Sequence, residues 1–235
     1  MNRDAWQDPD FATTWDEAGN LFTNPDRLRQ LSLLADMLAA SGCNSLVDLG
    51  IGSALVEATL HRRHPDFLAG CRVTGIDASA AMLELAHERC QRDGLPGIDL
   101  VQADFGALHE LSLADTPQAM ICVQALHEVP HDTKRDVFAW VRRQLPANGL
   151  FYVLDRFAYD GGAWLGVWQA NWEWMRSDVD GEVLDFDAYH RQYQAKEDDI
   201  AQVEDYRGWL EDAGFETVCP YRCFNRALIV ARVPG

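Results

Sequence analysis

The sequence predicts an α/β fold: a seven-stranded, mostly parallel sheet with helices on both faces, an antiparallel last strand and a helical cap. Three observations carry this expectation. Between about residues 45 and 155, short apolar runs alternate with helical patterns, the order that builds a parallel sheet. The last two apolar runs are joined by only a few residues, Arg222 to Arg226, too short for a parallel crossover, so they form an antiparallel pair. Residues 157–200 carry Trp164, Trp168, Trp172, Trp174, Tyr189 and Tyr193 among many acids and show no strand periodicity, which suits cap helices laid over one edge of the sheet.

The elements follow in chain order. The first 25 residues are polar but hold Trp6, Phe11, Trp15 and Phe22. Leu28, Leu31, Leu34, Met37 and Leu38 recur every three or four residues on one helical face, and Ser41-Gly42 ends that helix. Ser45 to Leu49 reads as the first strand and Ala54 to Arg63 as a helix. Arg72 to Ile76 reads as the second strand, followed by a helix over Ala80 to Asp93. Ile98 to Ala103 and Gln118 to Val123 are the third and fourth strands. Thr133 to Leu145 is a helix with Phe138, Val141 and Leu145 on one face; Pro146 to Gly149 is a turn; Leu150 to Leu154 is the fifth strand. After the cap segment comes a helix over Val203 to Ala213, closed by Gly214, and then strands near Glu216 to Tyr221 and Ala227 to Val233. The expected organisation is one domain over 1–235, with 1–40 as an N-terminal cap arm and 157–200 as a Trp-rich cap insertion; 235 residues suffice for one such core.

Composition narrows the function. Apolar residues make up 48% and charged residues 24%, which is globular rather than disordered composition. The net charge is −17, with no cluster of Lys and Arg. Nucleic acid and anionic membrane surfaces are therefore poor partners, because both are gripped through clustered positive charge. The polar start Met1 to Trp6 lacks a signal-peptide core, and no run approaches the roughly 20 apolar residues of a membrane helix. A cytoplasmic location is expected. The six scattered cysteines, with Cys219 and Cys223 the one close pair, read as free buried thiols and not as a zinc site; no metal is expected.

The chemistry is concentrated at strand ends. Leu46-Val47-Asp48-Leu49-Gly50-Ile51-Gly52-Ser53-Ala54 is an apolar strand running into a glycine turn and then a helix. Glycines there permit close backbone approach to a ligand, and the helix start adds unpaired N–H groups and a positive dipole end. A dinucleotide fingerprint wants a further glycine three residues after Gly52, where this chain has Leu55, and an acid at Asp48 suits a positively charged ligand better than a pyrophosphate. A nicotinamide enzyme is thereby disfavoured. Asp77, after the second strand and followed by Ala78, is placed to accept both hydroxyls of a ribose. Asp104, after the third strand, can accept from an adenine amino group, with Phe105 lining the ring. One such acid alone is more often a solvated strand end or helix cap; three at successive strand ends point to one nucleoside.

In these residues the sequence resembles the class I SAM-dependent methyltransferase family over roughly residues 40–156. Asp48-Leu49-Gly50-Ile51-Gly52 resembles the first motif, D-x-G-x-G, with Ala54 where a third glycine is frequent. Asp77 resembles the ribose acid, Asp104 the adenine-contacting acid, and Pro146 to Leu150 the loop before strand five. The resemblance implies a Rossmann-like seven-stranded sheet and S-adenosyl-L-methionine (SAM) as methyl donor. It also implies a cofactor set of Asp48, Gly50, Gly52, Ser53, Asp77, Ala78, Asp104, Phe105 and Gln124. Val123-Gln124-Ala125-Leu126-His127-Glu128-Val129 resembles the segment beneath the sulfonium. His127 is the candidate catalytic base, its near-neutral intrinsic pKa suiting the task; packing at the strand end is the alternative, and His131 is a weaker candidate. Trp168 and Trp172, four apart on one helical face, either wall the acceptor or glue the cap to the sheet. Phe11, Trp15 and Phe22 are expected to close over SAM. Arg27 is either a partner for the methionine carboxylate or a surface arginine.

The function implied is in-line methyl transfer to a small-molecule acceptor. With no N-P-P-Y or D-P-P-Y after the fourth strand and no Asp/Asn set for a metal, planar amino groups and metal-dependent catechols are poor acceptors. The segment from Glu204 to Asn225 is also similar to carboxy-SAM synthases, but Trp209 stands where that family has an arginine; Arg207 and Arg222 keep that alternative open. A non-catalytic SAM-binding scaffold is the third reading. The oligomeric state is left open, a homodimer being one option.

Overall fold

The computed structural model describes residues 3–17, 21–180, 182–195 and 199–235. Short 3-10 turns at Arg3–Gln7 and Leu21–Thr23 flank α1 (Pro9–Glu17), and α2 (Arg27–Ser41) follows. The core then alternates as expected: β1 (Ser45–Leu49), α3 (Leu55–Arg63), α4 (Pro65–Ala69), β2 (Arg72–Asp77), α5 (Ala80–Asp93), β3 (Ile98–Gln102), β4 (Ala119–Val123), α6 (His131–Gln144) and β5 (Leu150–Arg156). The cap supplies α7 (Leu165–Arg176) and α8 (Phe186–Gln194), and α9 (Val203–Asp212), β6 (Glu216–Cys223) and β7 (Arg226–Arg232) complete the chain.

Among the described residues the strands form one seven-stranded sheet in the order β3-β2-β1-β4-β5-β7-β6. The first five strands are mutually parallel, and β7 runs antiparallel to both β5 and β6. The sheet switches direction of growth between β1 and β4, where an open α/β sheet leaves a crevice at its carboxyl ends.

Side-chain alternation along the strands fills two apolar layers. Val47, Met120, Cys122, Phe151, Val153 and Ile229 face α6 and α9. Leu46, Ile121, Tyr152, Leu154, Leu228 and Val230 face α2, α3 and α4. Strands buried on both faces read as continuous apolar runs, as β4 does. The helices begin and end on readable chemistry. Ser79 caps α5 by accepting from Met82 N at 3.1 Å, and Asp185 caps α8 by accepting from Ala188 N at 2.7 Å. Gly42 and Gly94 close α2 and α5 in left-handed conformations.

One contact positions the first turn. Gly75, in the middle of β2, packs beneath Ile51; a Cβ at Gly75 would fall 2.2 Å from Ile51 Cδ1 and near 3.1 Å from its Cγ2. Gly75→Ala is therefore expected to lower stability by about 1–3 kcal/mol through overpacking, and Gly75→Ala combined with Ile51→Ala to lose less than the sum of the two single changes. Urea unfolding of the four proteins checks this; strict additivity would mean the contact does not matter.

Candidate active site

A cleft of about 390 Å³ opens at the carboxyl ends of β1 to β4. Its floor is the glycine turn after β1. Gly50, Gly52 and Ala54 all take left-handed backbone conformations, with φ of 79°, 56° and 57°. A Cβ at Gly50 would lie 2.6 Å from Ala125 Cβ and 3.5 Å from Phe105 Cζ, so glycine alone lets the turn touch the ends of β4 and β3 at once. The alanine at 54 adopts the same geometry against the usual preference, which costs roughly 1–2 kcal/mol.

The turn is tied to β2. Gly50 N and Ile51 N both donate to Ile76 O, at 2.7 and 3.1 Å, and Gly52 N donates to Asp77 Oδ2 at 2.9 Å. Asp77 Oδ1 accepts from Ser79 N at 2.9 Å. Burial pushes the Asp77 carboxyl up, against the pull of those backbone amides. Each oxygen has one amide donor and a second lone pair for a ligand hydroxyl.

The lining residues follow sheet order. Ala103, Asp104 and Phe105 come from the end of β3; Asp77, Ala78, Ser79 and Met82 from β2; Gly50 to Ser53 with Leu55 and Val56 from β1; Val123, Gln124, Ala125, Glu128 and Val129 from β4. Asp104 also caps the following 3-10 turn, accepting from Gly106 N at 2.7 Å. Gln124 has φ 56°, and its Nε2 is buried without a hydrogen-bond partner among the described residues.

The arm closes the front. Trp6 and Gln7 line the cleft; Ser79 Oγ donates to Trp6 O, and Gln7 Nε2 donates to Ala78 O at 3.0 Å. Farther along, Asp16 pairs with Arg89 at 2.6 Å and accepts from Ser53 Oγ, while Arg89 Nε donates to Ser53 O at 2.6 Å. The arm is thereby pinned to the glycine turn. Arg27 is buried and lines the cleft; burial first, and then the neighbouring Arg226, lower its pKa to about 10.

Gly50, Gly52, Ser53, Asp77, Ala78, Asp104, Phe105 and Gln124 thus meet in one cleft, as the sequence implied. Several other placements correct it. Asp48 does not line the cleft: it is 1% exposed and lies beside the fully buried Glu57. Burial, then the Glu57 charge and hydrogen bond, then Asp77 raise the Asp48 carboxyl well above the usual range, while burial raises Glu57 to about 7. Two buried acids side by side hold a proton between them, so this pair supports the turn from below and offers no carboxylate to a ligand.

His127 is also behind the wall. Its Nδ1 lies 2.6 Å from Asp155 Oδ1, and Tyr206 OH donates to Asp155 Oδ2 at 3.1 Å. Burial alone would raise Asp155, but the His127 ring, Arg156 N and Tyr206 OH outweigh it and hold the carboxyl below its ordinary value. The ring does not border the cleft and is not placed to take a proton from an acceptor there. His131 pairs with Asp199 at 2.9 Å, likewise outside the cleft.

Trp168 and Trp172 do not wall the cleft either. Trp172 is buried, stacks on Tyr189 at 4.2 Å and donates to Leu184 O at 2.9 Å; Trp168 packs on Phe224 and Tyr159 and donates to Asp160 O. They glue the cap to Phe224, at the β6–β7 turn. Phe22 lines a separate hollow with Arg176, Val179, Glu182, Val183, Leu184 and Asp185, and Phe11 is in edge contact with Trp6. The side chain of Trp15 lies outside the described residues. Of the late arginines, Arg207 is bonded to Thr217 and Arg222 to Glu204, and neither lines the cleft; nor does Trp209, which packs on His131 and Tyr206. Trp6, Gln7 and Met82 are lining residues that sequence reasoning missed, and Val123, Glu128 and Val129 lay in the segment placed beneath the sulfonium but were given no role of their own. Trp6 was visible as an aromatic in a polar arm; Glu128 was visible as the acid within the segment placed beneath the sulfonium, where His127 was chosen instead.

The strand order, with the glycine turn after β1 and acids at the ends of β2 and β3, has the arrangement of the Rossmann-like methyltransferase fold. Residues 46–149 match the family described as a methyltransferase domain. Trans-aconitate 2-methyltransferase of Paracidovorax citrulli (strain AAC00-1) is 42% identical over 82 residues, which are 35% of this chain and 28% of that relative. The match thus spans well under two thirds of that relative's length. Among solved structures, an O-methyltransferase family protein from Burkholderia thailandensis aligns with TM-score 0.66 at 14% identity, over 98% of this chain and 64% of that one. Magnesium protoporphyrin IX methyltransferase from Synechocystis PCC 6803 with bound SAH aligns with TM-score 0.60 at 16% identity, over 88% of this chain and 83% of that one. At such identities the likeness is one of fold. Among the described residues no helix is long and apolar enough to cross a membrane.

The shared proton sets a pH dependence. Glu57 has a folded pKa raised from 4.5 to about 7, so its contribution to stability is full below pH 4.5 and is lost as pH rises through about 7. Glu57→Gln is expected to flatten the fall in urea midpoint between pH 4.5 and 7.5. An unchanged slope would show that the pair does not hold the proton.

Proposed function

We propose that this chain binds SAM along the carboxyl ends of β1 to β4 and transfers its methyl group to a small-molecule acceptor. The observation that carries this is Asp77. It lines the cleft, and each of its carboxylate oxygens accepts from one backbone amide, which leaves each with acceptor capacity for one hydroxyl of a vicinal diol.

The other assignments follow from sheet order. Asp104 accepts from the adenine amino group and Phe105 lies against the ring. The Gly50–Ser53 turn lets the backbone approach the amino-acid part of the ligand, and Arg27, the cation buried in this wall, takes its carboxylate. SAM supplies an already activated methyl group on a sulfonium. The chain's own task is orientation and exclusion of water, which the arm residues Trp6 and Gln7 serve from the front of the cleft. The net charge of −17 disfavours a nucleic-acid acceptor. Arg207 and Arg222 are engaged elsewhere, which favours SAM itself over a carboxylated derivative. The curated relative acts, by its name, on trans-aconitate, and small organic molecules are the acceptor class this reading extends to the present chain.

Calorimetry with SAM, SAH and NADH tests the assignment: the first two bind and the third does not. Asp77→Ala is expected to weaken SAM binding by about 1–3 kcal/mol, the cost of losing hydrogen bonds to a charged group, which is roughly 5- to 150-fold in Kd. Unchanged SAM affinity in a variant that retains its thermal unfolding transition would remove the ribose from this position.

A further inference from the structure

The acceptor end of the cleft carries two polar side chains with complementary hydrogen-bonding capacity. Glu128 lines the cleft from the 3-10 turn after β4, and Gln124 lines it from the end of the strand itself. The cleft's described lining has three carboxylates. Asp77 and Asp104 belong to β2 and β3, and the sheet order β3-β2-β1-β4 puts both on the nucleoside side of the glycine turn. Glu128 is across the turn from them. Gln124 is held in a left-handed conformation with its Nε2 buried and without a hydrogen-bond partner among the described residues, a costly arrangement that a ligand atom accepting a hydrogen bond would relieve.

Behind Glu128 stands a buried chain. Tyr206 OH donates to Asp155, Asp155 contacts His127 Nδ1 at 2.6 Å, and His127 Nε2 lies 3.5 Å from Glu128 Oε1. His127 touches carboxyl groups at both of its nitrogens, and Asp155 and Tyr206 fix the ring. The orientation of Glu128 is therefore set from the core.

We propose that Glu128 is the proton acceptor of the reaction and that the acceptor nucleophile is a hydroxyl. This rests on the SAM assignment above. A hydroxyl donates one hydrogen bond and accepts two, so it satisfies Glu128 and Gln124 together: its proton points at Glu128 and a lone pair takes the Gln124 amide. The remaining lone pair attacks the methyl carbon. As the oxygen–carbon bond forms, the carbon–sulfur bond breaks with its electron pair going to sulfur, and the hydroxyl proton passes to Glu128. The products are the methyl ether, neutral SAH and a protonated Glu128, which returns its proton to solvent on product release. His127 is a positioning residue for Glu128, not the base.

The test needs no knowledge of the acceptor. In sinefungin, a CH–NH3⁺ group replaces the methylsulfonium, so its ammonium occupies the position of the transferring methyl. Calorimetry at pH 7 on the full chain should give a Kd for sinefungin at least tenfold below that for SAH. In Glu128→Gln that preference should fall to within threefold, with the SAH affinity changed less than twofold. In Asp104→Asn the preference should persist while both affinities fall. A wild-type preference near one, or one that survives Glu128→Gln, overturns the proposal and leaves the SAM assignment intact. Failure of the wild type to bind SAH at all overturns the SAM assignment, and this proposal with it. Should Glu128→Gln not fold, the wild-type crystal structure with sinefungin decides: an ammonium within 3.5 Å of the Glu128 carboxylate supports the proposal, and one beyond 5 Å overturns it.

Discussion

The site depends on one constraint: the glycine turn after β1 is held by the end of β2. Two successive amides, of Gly50 and Ile51, share the Ile76 carbonyl, and the Gly52 amide is bound by the Asp77 carboxylate. That leaves the turn little freedom, and its position decides where β3 and β4 can meet it, through Phe105 and Ala125. Asp77 is thus both a structural anchor and the group facing the cleft. Its burial raises the cost of ionisation, and the amides it accepts from offset that cost. A residue bound this way is pre-oriented before any ligand arrives, which is what tight recognition of a diol requires.

Beneath the turn, Asp48 and Glu57 show why two of the three acids read at strand ends line the cleft and the third does not. Asp77 and Asp104 follow strands whose ends open onto the crevice. Asp48 sits two residues before its glycine, inside β1, where a strand paired on both sides points every side chain into a packed layer. Its neighbour is Glu57, from the first turn of α3, and only the fold brings the two together. Spacing in the sequence could show an acid beside the turn but not the second acid that keeps it protonated.

The sheet was legible because its strands are buried on both faces and its helices carry one apolar stripe, so periodicity and burial coincide from Ser45 to Arg156. The terminal pair was legible because a short connection has one geometric solution, and β7 indeed runs antiparallel to its neighbours. The helices of the cap were expected, but the role given to their tryptophans was open. Trp172, Met175, Phe186, Tyr189 and Phe224 form a separate apolar cluster, and the energy of burying these large rings goes into fastening the cap to the β6–β7 edge. Large aromatics do not announce whether they face a ligand or a partner side chain. The arm shows the opposite case: a polar segment supplies the front of the cleft through Trp6 and Gln7, because backbone and side-chain bonds to Ala78, Ser79 and Ser53 hold it there.

The residues around His127 show how a buried polar chain can set the chemistry of a surface it does not reach. Tyr206, Asp155 and His127 lie within the same apolar layer as Phe138 and Phe157, where an unpaired carboxylate would be strongly destabilising. Asp155 escapes that penalty because three donors surround it: the His127 ring, the Arg156 amide and the Tyr206 hydroxyl. A satisfied network of this kind resists rearrangement, since moving one member exposes the others to an apolar medium. Its last member before the cleft is an imidazole, whose second nitrogen faces Glu128. Rigidity built in the core is therefore passed outward by contact, through the residue that precedes Glu128 in the same 3-10 turn to the carboxylate at the cleft.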